Sequence, residues 1–327
     1  MSDPVLQLPF GLTFDFLTAT GFWTGVGVLA GIYTIFGLGL QLNVGFTGIM
    51  NFGQAGFMAI GAYAMGVLVV KADWSFWLAV PAAIVIAMAF ALVVGLPSLR
   101  LRADYFAIAT IAAAEIVRLV AQNSRGLTGG NTGLLGYDDT WNDISHSMED
   151  WLQSLGWSDP ETLFPLLIVV WGVALLATVV LYFAQRSPWG RVVRAIREDE
   201  DAARALGKNT LAYKLQSLAI SAFLAAVAGI FLALDLAFIH PTEFDPLFTF
   251  IGYGVLILGG LANYWGVAIG SIIMWTILEG SRFIHLPIGA DRIAAARFIF
   301  VGLVLILLMA FRPQGLFGKR EEMVLGD

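Results

Sequence analysis

The sequence predicts an all-α protein that threads a membrane about nine times, with an interrupted glycine-rich segment in each half, and three observations carry that prediction. Hydrophobic residues make up 58% of the 327 residues and charged residues only 13%, whereas a soluble domain carries roughly 25% charge. Mean hydropathy is +0.80. Uncharged windows such as 23–42, 76–96 and 163–184 match the roughly 20 residues that a helix needs to cross a hydrocarbon core of about 30 Å. Nowhere does the chain alternate apolar and polar residues as the strands of an outer-membrane barrel would.

Composition also excludes several functions. The formal charge of −6 gathers in one loop, where Asp138, Asp139, Asp143, Glu149, Asp150, Asp159 and Glu161 fall together, so no surface is built to attract nucleic acid. There is no cysteine, hence no disulfide or thiol chemistry, and His146, His240 and His285 are too scattered to hold a metal. The first residues lack a basic segment and a small-residue cleavage site, so the first span is expected to serve as its own insertion signal.

In chain order, an acidic tail precedes a first span at 22–42. The run at 45–66 holds six glycines with Asn51 and Gln54, and it reads as a broken or tightly packed helix. A third span at 76–96 ends in a loop with Arg100 and Arg102, and a fourth at 105–122 carries Glu115 and Arg118. The polar loop 123–161, with Trp141, Trp151 and Trp157, is expected to cap the outer face. Spans at 163–184 and 215–238 flank a charged island, followed by the turn IHPTEFDP and a glycine-rich segment at 248–262. Spans at 264–285 and 298–311 and a basic tail complete the chain.

Placing the island in the cytoplasm puts twelve Lys and Arg on the inner side against five on the outer. The positive-inside rule therefore sets the N-terminus outside and the C-terminus inside. A short internal echo, Gly48, Ile49, Met50, Asn51, Phe52 against Gly260, Leu261, Ala262, Asn263, Tyr264, sits in the interrupted segment of each half. Transporters build central pathways from such paired broken helices.

The island, residues 185–214, contains seven of the eighteen Lys and Arg. Ser187 and Pro188 start a helix by capping and by a fixed first-turn φ. Arg191, Arg194 and Arg197 form a stripe expected to face lipid headgroups, and an acidic run Glu198, Asp199, Glu200, Asp201 follows. Gly207 suits a helix C′ position and Thr210 is expected to cap the next helix. Four consecutive acids would be repelled by anionic lipid, so they fit a protein partner better.

Asp201, Ala202, Ala203, three residues and then Gly207 resembles the "EAA, three residues, Gly" loop of ABC-importer permeases, with aspartate in place of glutamate. The wider sequence is similar to the branched-chain amino acid (LivM-like) permeases. NVGFTGIMNFGQAGFMAIGAYAMG, LRLRADYFAIATIAAAEIVRL, LTGGNTGL and VLILGGLANYWGVAIGS follow that family's blocks in order over most of 40–280. The C-terminus matches no block.

The resemblance implies one transmembrane permease domain over 1–327 in a bacterial cytoplasmic membrane. Its parts are spans in 22–184, a coupling loop at 185–214, spans in 215–312 and a tail at 313–327. It further implies that Glu198, Asp199, Glu200, Asp201, Ala202, Ala203 and Gly207 form the contact with a separate ATPase. The expected partners are a second homologous permease, two ATPase subunits and an extracytoplasmic substrate-binding protein. No G-x-x-x-x-G-K-[ST] phosphate loop occurs in the chain, so ATP and Mg are expected on the ATPase and no cofactor here.

Two further groups are candidate sites. Asn43, Asn51, Gln54 and Asn263 stand beside glycines at the expected helix breaks, either facing a passing zwitterion or bonding across helices. Glu115 with Arg118, and Glu279 with Arg282, are spaced three apart near the outer ends of spans, as functional charges or as pairs internal to one helix face. A urea or short-chain amide importer is the nearest rival reading. An ion-coupled secondary transporter is disfavoured by the few titratable groups along the route.

Overall fold

The computed structural model describes residues 19–156 and 163–283, together with 299, 302, 303, 306 and 315–317. The expected N-terminal tail, most of the last predicted span, most of the basic tail, Trp157, Asp159 and Glu161 lie outside them. Every element of regular structure among the described residues is helical, apart from a single antiparallel bridge between Leu134 and Ile239.

Helix α1 (Thr20–Leu40) runs without interruption into a π-helical segment, Gln41–Thr47. After an irregular stretch, residues 48–53, α2 (Gln54–Ala72) returns. The predicted break at 45–66 is thus real, and the helix before it is longer than predicted. Helices α3 (Phe76–Ser98) and α4 (Ala103–Asn123) follow, then the short α5 (Arg125–Thr128) and the amphipathic α6 (Asp139–Ser154). Then come α7 (Phe164–Arg186), α8 (Pro188–Glu198), α9 (Glu200–Ala205), α10 (Thr210–Leu236), α11 (Leu247–Gly259) and α12 (Tyr264–Gly280).

Five of these are long and apolar enough to cross a membrane: Thr20–Thr47, Gln54–Ala72, Phe76–Ser98, Phe164–Arg186 and Thr210–Leu236. Helices α11 and α12 form a sixth candidate as a pair bent by 116°. The glycine-rich segment at 248–262 is too short to cross by itself. With 13 residues, α11 is about 20 Å long, short of a core of about 30 Å, and it turns back at residues 260–263.

Burial sorts the spans into two layers. The apolar windows of α1 and α10 are each 83% buried, those of α3 and α7 only 28%. The inner pair is therefore wrapped by protein and the outer pair presents Trp77, Val85, Val93, Leu176 and Phe183 outward. The inward stripe of α3 is Ala79, Ala83, Ala87, Ala91 and Gly95, one small residue per turn against α2 and α10. Apolar attraction does not distinguish a helix from lipid tails, so close backbone approach through small residues supplies the packing. At the α2–α10 crossing this goes to contact: a Cβ on Gly229 would lie 2.0 Å from the carbonyl oxygen of Met58.

The loop between α4 and α7 does cover one end of the bundle. Leu134 and Ile239 exchange both backbone hydrogen bonds at 3.0 Å, and the Tyr137 hydroxyl donates to the Ala233 carbonyl at 2.7 Å. Both Trp141 and Trp151 belong to α6; Trp141 is buried, and Trp151 is exposed, as an interfacial residue would be.

Candidate functional site

Two helix breaks and one charged loop meet at the end of the bundle opposite that cover. The first break, residues 48–53, follows the π-helical segment, and the second, residues 260–263, separates α11 from α12. The π-helical segment touches the second break: the rings of Phe46 and Tyr264 lie 4.7 Å apart, and the Gln41 carboxamide lies against the backbone amides of Ala262 and Asn263. The echo between Gly48–Phe52 and Gly260–Tyr264 thus marks two breaks, the second of which packs on the helix leading into the first.

From there a buried polar chain climbs along α10. The hydroxyls of Thr47 and Ser217 meet at 2.6 Å, and Ser217 donates to Asn43 Oδ1 at 3.1 Å. One turn further, Gln54 Oε1 accepts from Ser221 Oγ and from Asn51 Nδ2, both at 2.9 Å. The Gln54 amide donates to the Ser221 carbonyl at 3.2 Å. Ser217 and Ser221 lie about 10 and 16 Å along α10 from its start at Thr210, so the chain reaches toward the middle of that 27-residue helix. Asn43, Asn51 and Gln54 are fully buried.

The backbone freed by the first break is satisfied by neighbours. Phe52 N–H donates to Thr110 Oγ1 and Ala55 N–H to Thr249 Oγ1, at 3.1 and 3.0 Å, while the Tyr253 hydroxyl donates to the Asn51 carbonyl at 2.9 Å. Irregular backbone at membrane depth needs such partners. Among the described residues, Asn43 Nδ2 is a buried donor without one.

The structure therefore brings together three of the four predicted amides. Asn263 stands apart, capping α12 through the Trp265 and Gly266 amides and donating to the Phe317 carbonyl at 3.1 Å. Sequence reasoning missed Thr47, Thr110, Ser217, Ser221, Thr249 and Tyr253. The detectable signal was Ser217 and Ser221, four apart on α10 and so on one helix face.

The predicted charge pairs both close locally, the first within α4 and the second between α12 and the turn that follows it. Arg118 grips Glu115 through two hydrogen bonds, one of 2.8 Å from Nε, and Arg282 reaches Glu279 at 2.8 Å.

The island is two helices, not one. Ser187 caps α8 with Pro188 in its first turn, as predicted, and Asp199 breaks the element by capping α9 through the Asp201 and Ala202 amides. Gly207 follows α9 at φ +77°, a left-handed conformation that glycine adopts without strain. The predicted cap at Thr210 is corrected: Asn209 accepts the Ala212 amide at 3.1 Å and Thr210 is the first helical residue. Asparagine at the preceding position wins because its short side chain reaches the free amides of the first turn.

The arginine stripe is also corrected. Arg197 donates to the Gly45 carbonyl in the π-helical segment, and the Arg194 guanidinium lies 5.9 Å from the Phe46 ring centre. Two of the three arginines thus clamp the loop onto the first break, where the π geometry leaves carbonyls accessible. Among the seven loop residues, Ala203 is buried and Glu200 binds Lys214 and Arg204, so these two face the bundle. Glu198, Asp199, Asp201, Ala202 and Gly207 are exposed, and so is Leu206 at 81%.

Burial pushes the Glu200 carboxyl upward, but the hydrogen bond and charge of Lys214, with Thr210 and Arg204, hold it below the usual range. A depressed acid stabilises the fold above its unfolded pKa, about 4.3 for glutamate, and loses that contribution as pH falls through the folded value. Limited proteolysis of the loop is therefore expected to be unchanged from about pH 7 to pH 5, whereas E200Q accelerates it across that range. Equal cleavage rates would refute the anchoring role.

A polytopic, all-helical membrane protein whose two broken helices meet around a buried polar chain belongs by construction to the transporters. The family described as the permease component of branched-chain amino acid transport systems matches residues 23–309. The chain is 32% identical to the high-affinity branched-chain amino acid transport permease LivM of Escherichia coli K12, over 95% of this chain and 73% of that protein. It is 26% identical to a probable LivM of Methanocaldococcus jannaschii, over 89% and 91%. It is also 26% identical to the E. coli permease LivH, over 90% and 93%. No solved structure matches. The chain belongs to the branched-chain amino acid transport permease family.

Proposed function

We propose that the chain is one permease subunit of an ATP-driven (ABC) importer for branched-chain or related apolar amino acids, set in a bacterial cytoplasmic membrane with its N-terminus outside. A second homologous permease completes the pathway, two separate ATPase subunits bind and hydrolyse ATP with Mg, and an extracytoplasmic binding protein supplies substrate. The observation that carries this reading is the α8–α9 loop: it is folded, capped at each start, and bonded to both helices that hold the polar chain. Arg197 binds the Gly45 carbonyl, two residues beyond Asn43, and Glu200 binds Lys214, one turn before Ser217. Movement of the loop by an ATPase would shift Asn43 against Ser217 and open the closed amide chain.

Asn43, Asn51 and Gln54 then serve the pathway, with Asn43 Nδ2 free to donate to a passing carboxylate. Asn263 holds the second break in place. The pairs Glu115–Arg118 and Glu279–Arg282 remain ion-paired at the span ends during transport.

Uptake of labelled leucine by proteoliposomes containing the assembled complex tests the reading. Uptake is expected to require ATP inside and to survive a proton ionophore at constant ATP. Uptake that persists without ATP and collapses with the ionophore overturns it.

A further inference from the structure

We propose that the cavity at the loop end of the bundle binds the phosphate headgroup of an anionic phospholipid. The cavity measures about 720 Å³ and lies between the first break, the α3–α4 turn, the α8–α9 loop and the start of α10. Six cations line it, Arg100, Arg102, Arg197, Arg204, Lys208 and Lys214, against one carboxylate, Glu200. That carboxylate is already taken by Lys214 and Arg204. Arg100, Arg102 and Lys208 form no ion pair with any described residue.

Cations converging on a cavity without matching acids repel one another, and an anion of the right size relieves that repulsion. The volume falls in the range of small-ligand sites, roughly 300–1,000 Å³.

Two observations select a lipid over a soluble anion. The α3–α4 turn places the exposed Leu101 between Arg100 and Arg102. Above the turn, the outward faces of α3 and α4 carry exposed Val93, Leu96 and Ile108, an apolar surface along which acyl chains can lie. The loop is also divided by sign: Arg197, Arg204 and Lys208 line the cavity, whereas Glu198 and Asp201 do not. Apart from Glu200, which Lys214 and Arg204 hold, the acids of α8 and α9 thus leave the basic side to the membrane. Basic pockets between helices at this depth suit lipid phosphates.

The test uses the full-length chain in nanodiscs of phosphatidylcholine with a minor fraction of phosphatidylglycerol, and counts retained lipids by native mass spectrometry. Phosphatidylglycerol should be retained preferentially. A juxtamembrane cation is worth roughly fivefold in affinity for anionic lipid, so R100Q/R102Q/K208Q should bring retention close to parity. R125Q, outside the cavity, should leave the preference intact. If the triple variant does not fold, K208Q alone should lower the preference roughly fivefold. Equal retention of the two lipids by the unaltered chain, or an equal loss in R125Q, overturns the proposal. So does saturable binding of inorganic phosphate without any lipid preference, or loss of the lipid when the ATPase is added.

Discussion

Replacing Gly229 with leucine is expected to prevent the subunit from folding, the largest stability effect of any single change considered. Its Cβ would lie 2.0 Å from the Met58 carbonyl oxygen, and across the same crossing a Cβ on Gly61 would lie 2.4 Å from that of Ala226. Neither obstacle is the end of a flexible side chain, so α2 and α10 must move apart. Overpacking a dense interior costs about 1–3 kcal/mol where side chains can adjust, and here backbone must yield, so the cost exceeds about 3 kcal/mol. Because α10 also carries Ser217 and Ser221, separation would break the polar chain too. Gly172 provides the comparison, since a Cβ there meets nothing within 4 Å. Thermal unfolding in detergent should show loss of the folded state for G229L and little change for G172L; similar behaviour of the two would show that the crossing is not tight.

Much of this architecture was legible because a membrane imposes few solutions. Uncharged windows of span length became α1, α3, α7 and α10, and the glycines around Asn51 did mark a break. The second break was legible in position but not in form. Residues 248–262 have the composition of a span, and only the 116° turn shows that α11 is a half-length arm folded against α12. Sequence hydropathy reports what a segment tolerates around it, lipid or apolar protein, and it does not separate the two. The same ambiguity hid the layering: α10 and α3 look alike as sequences, yet one is enclosed and the other lies outside.

The candidate site was legible in its amides and opaque in their partners. Asn43, Asn51 and Gln54 stand out because carboxamides are costly in lipid. Ser217, Ser221 and Thr249 do not, since a hydroxyl in a span can satisfy itself on its own backbone. Only the folded chain shows those hydroxyls turned to other helices. The arginine stripe failed for a related reason. Positive residues at a membrane surface suit headgroups, but the π-helical segment leaves the Gly45 carbonyl accessible for Arg197. That segment has no sequence signature.

Leu206→Asp is expected to abolish transport while leaving insertion and folding intact. Leu206 is 81% exposed, at the end of α9 and directly before the left-handed Gly207. A leucine held so far out of its own fold, on a capped helix beside exposed Ala202 and Ala205, has the form of an anchor for a partner's apolar pocket. Truncating an interface anchor costs about 2–4 kcal/mol, which is roughly a thirtyfold to thousandfold loss of affinity. A buried aspartate adds desolvation to that loss. Folding should be spared because Leu206 is 81% exposed, whereas Ala203 in α9 is buried and would not tolerate the same change. The measurement is copurification of the ATPase with the inserted subunit, followed by leucine uptake. L206D should lose both, and a variant of the outward acids, D201N, should lower association by a few fold at most, as exposed charges do. Full ATPase retention by L206D would move the contact away from the end of α9.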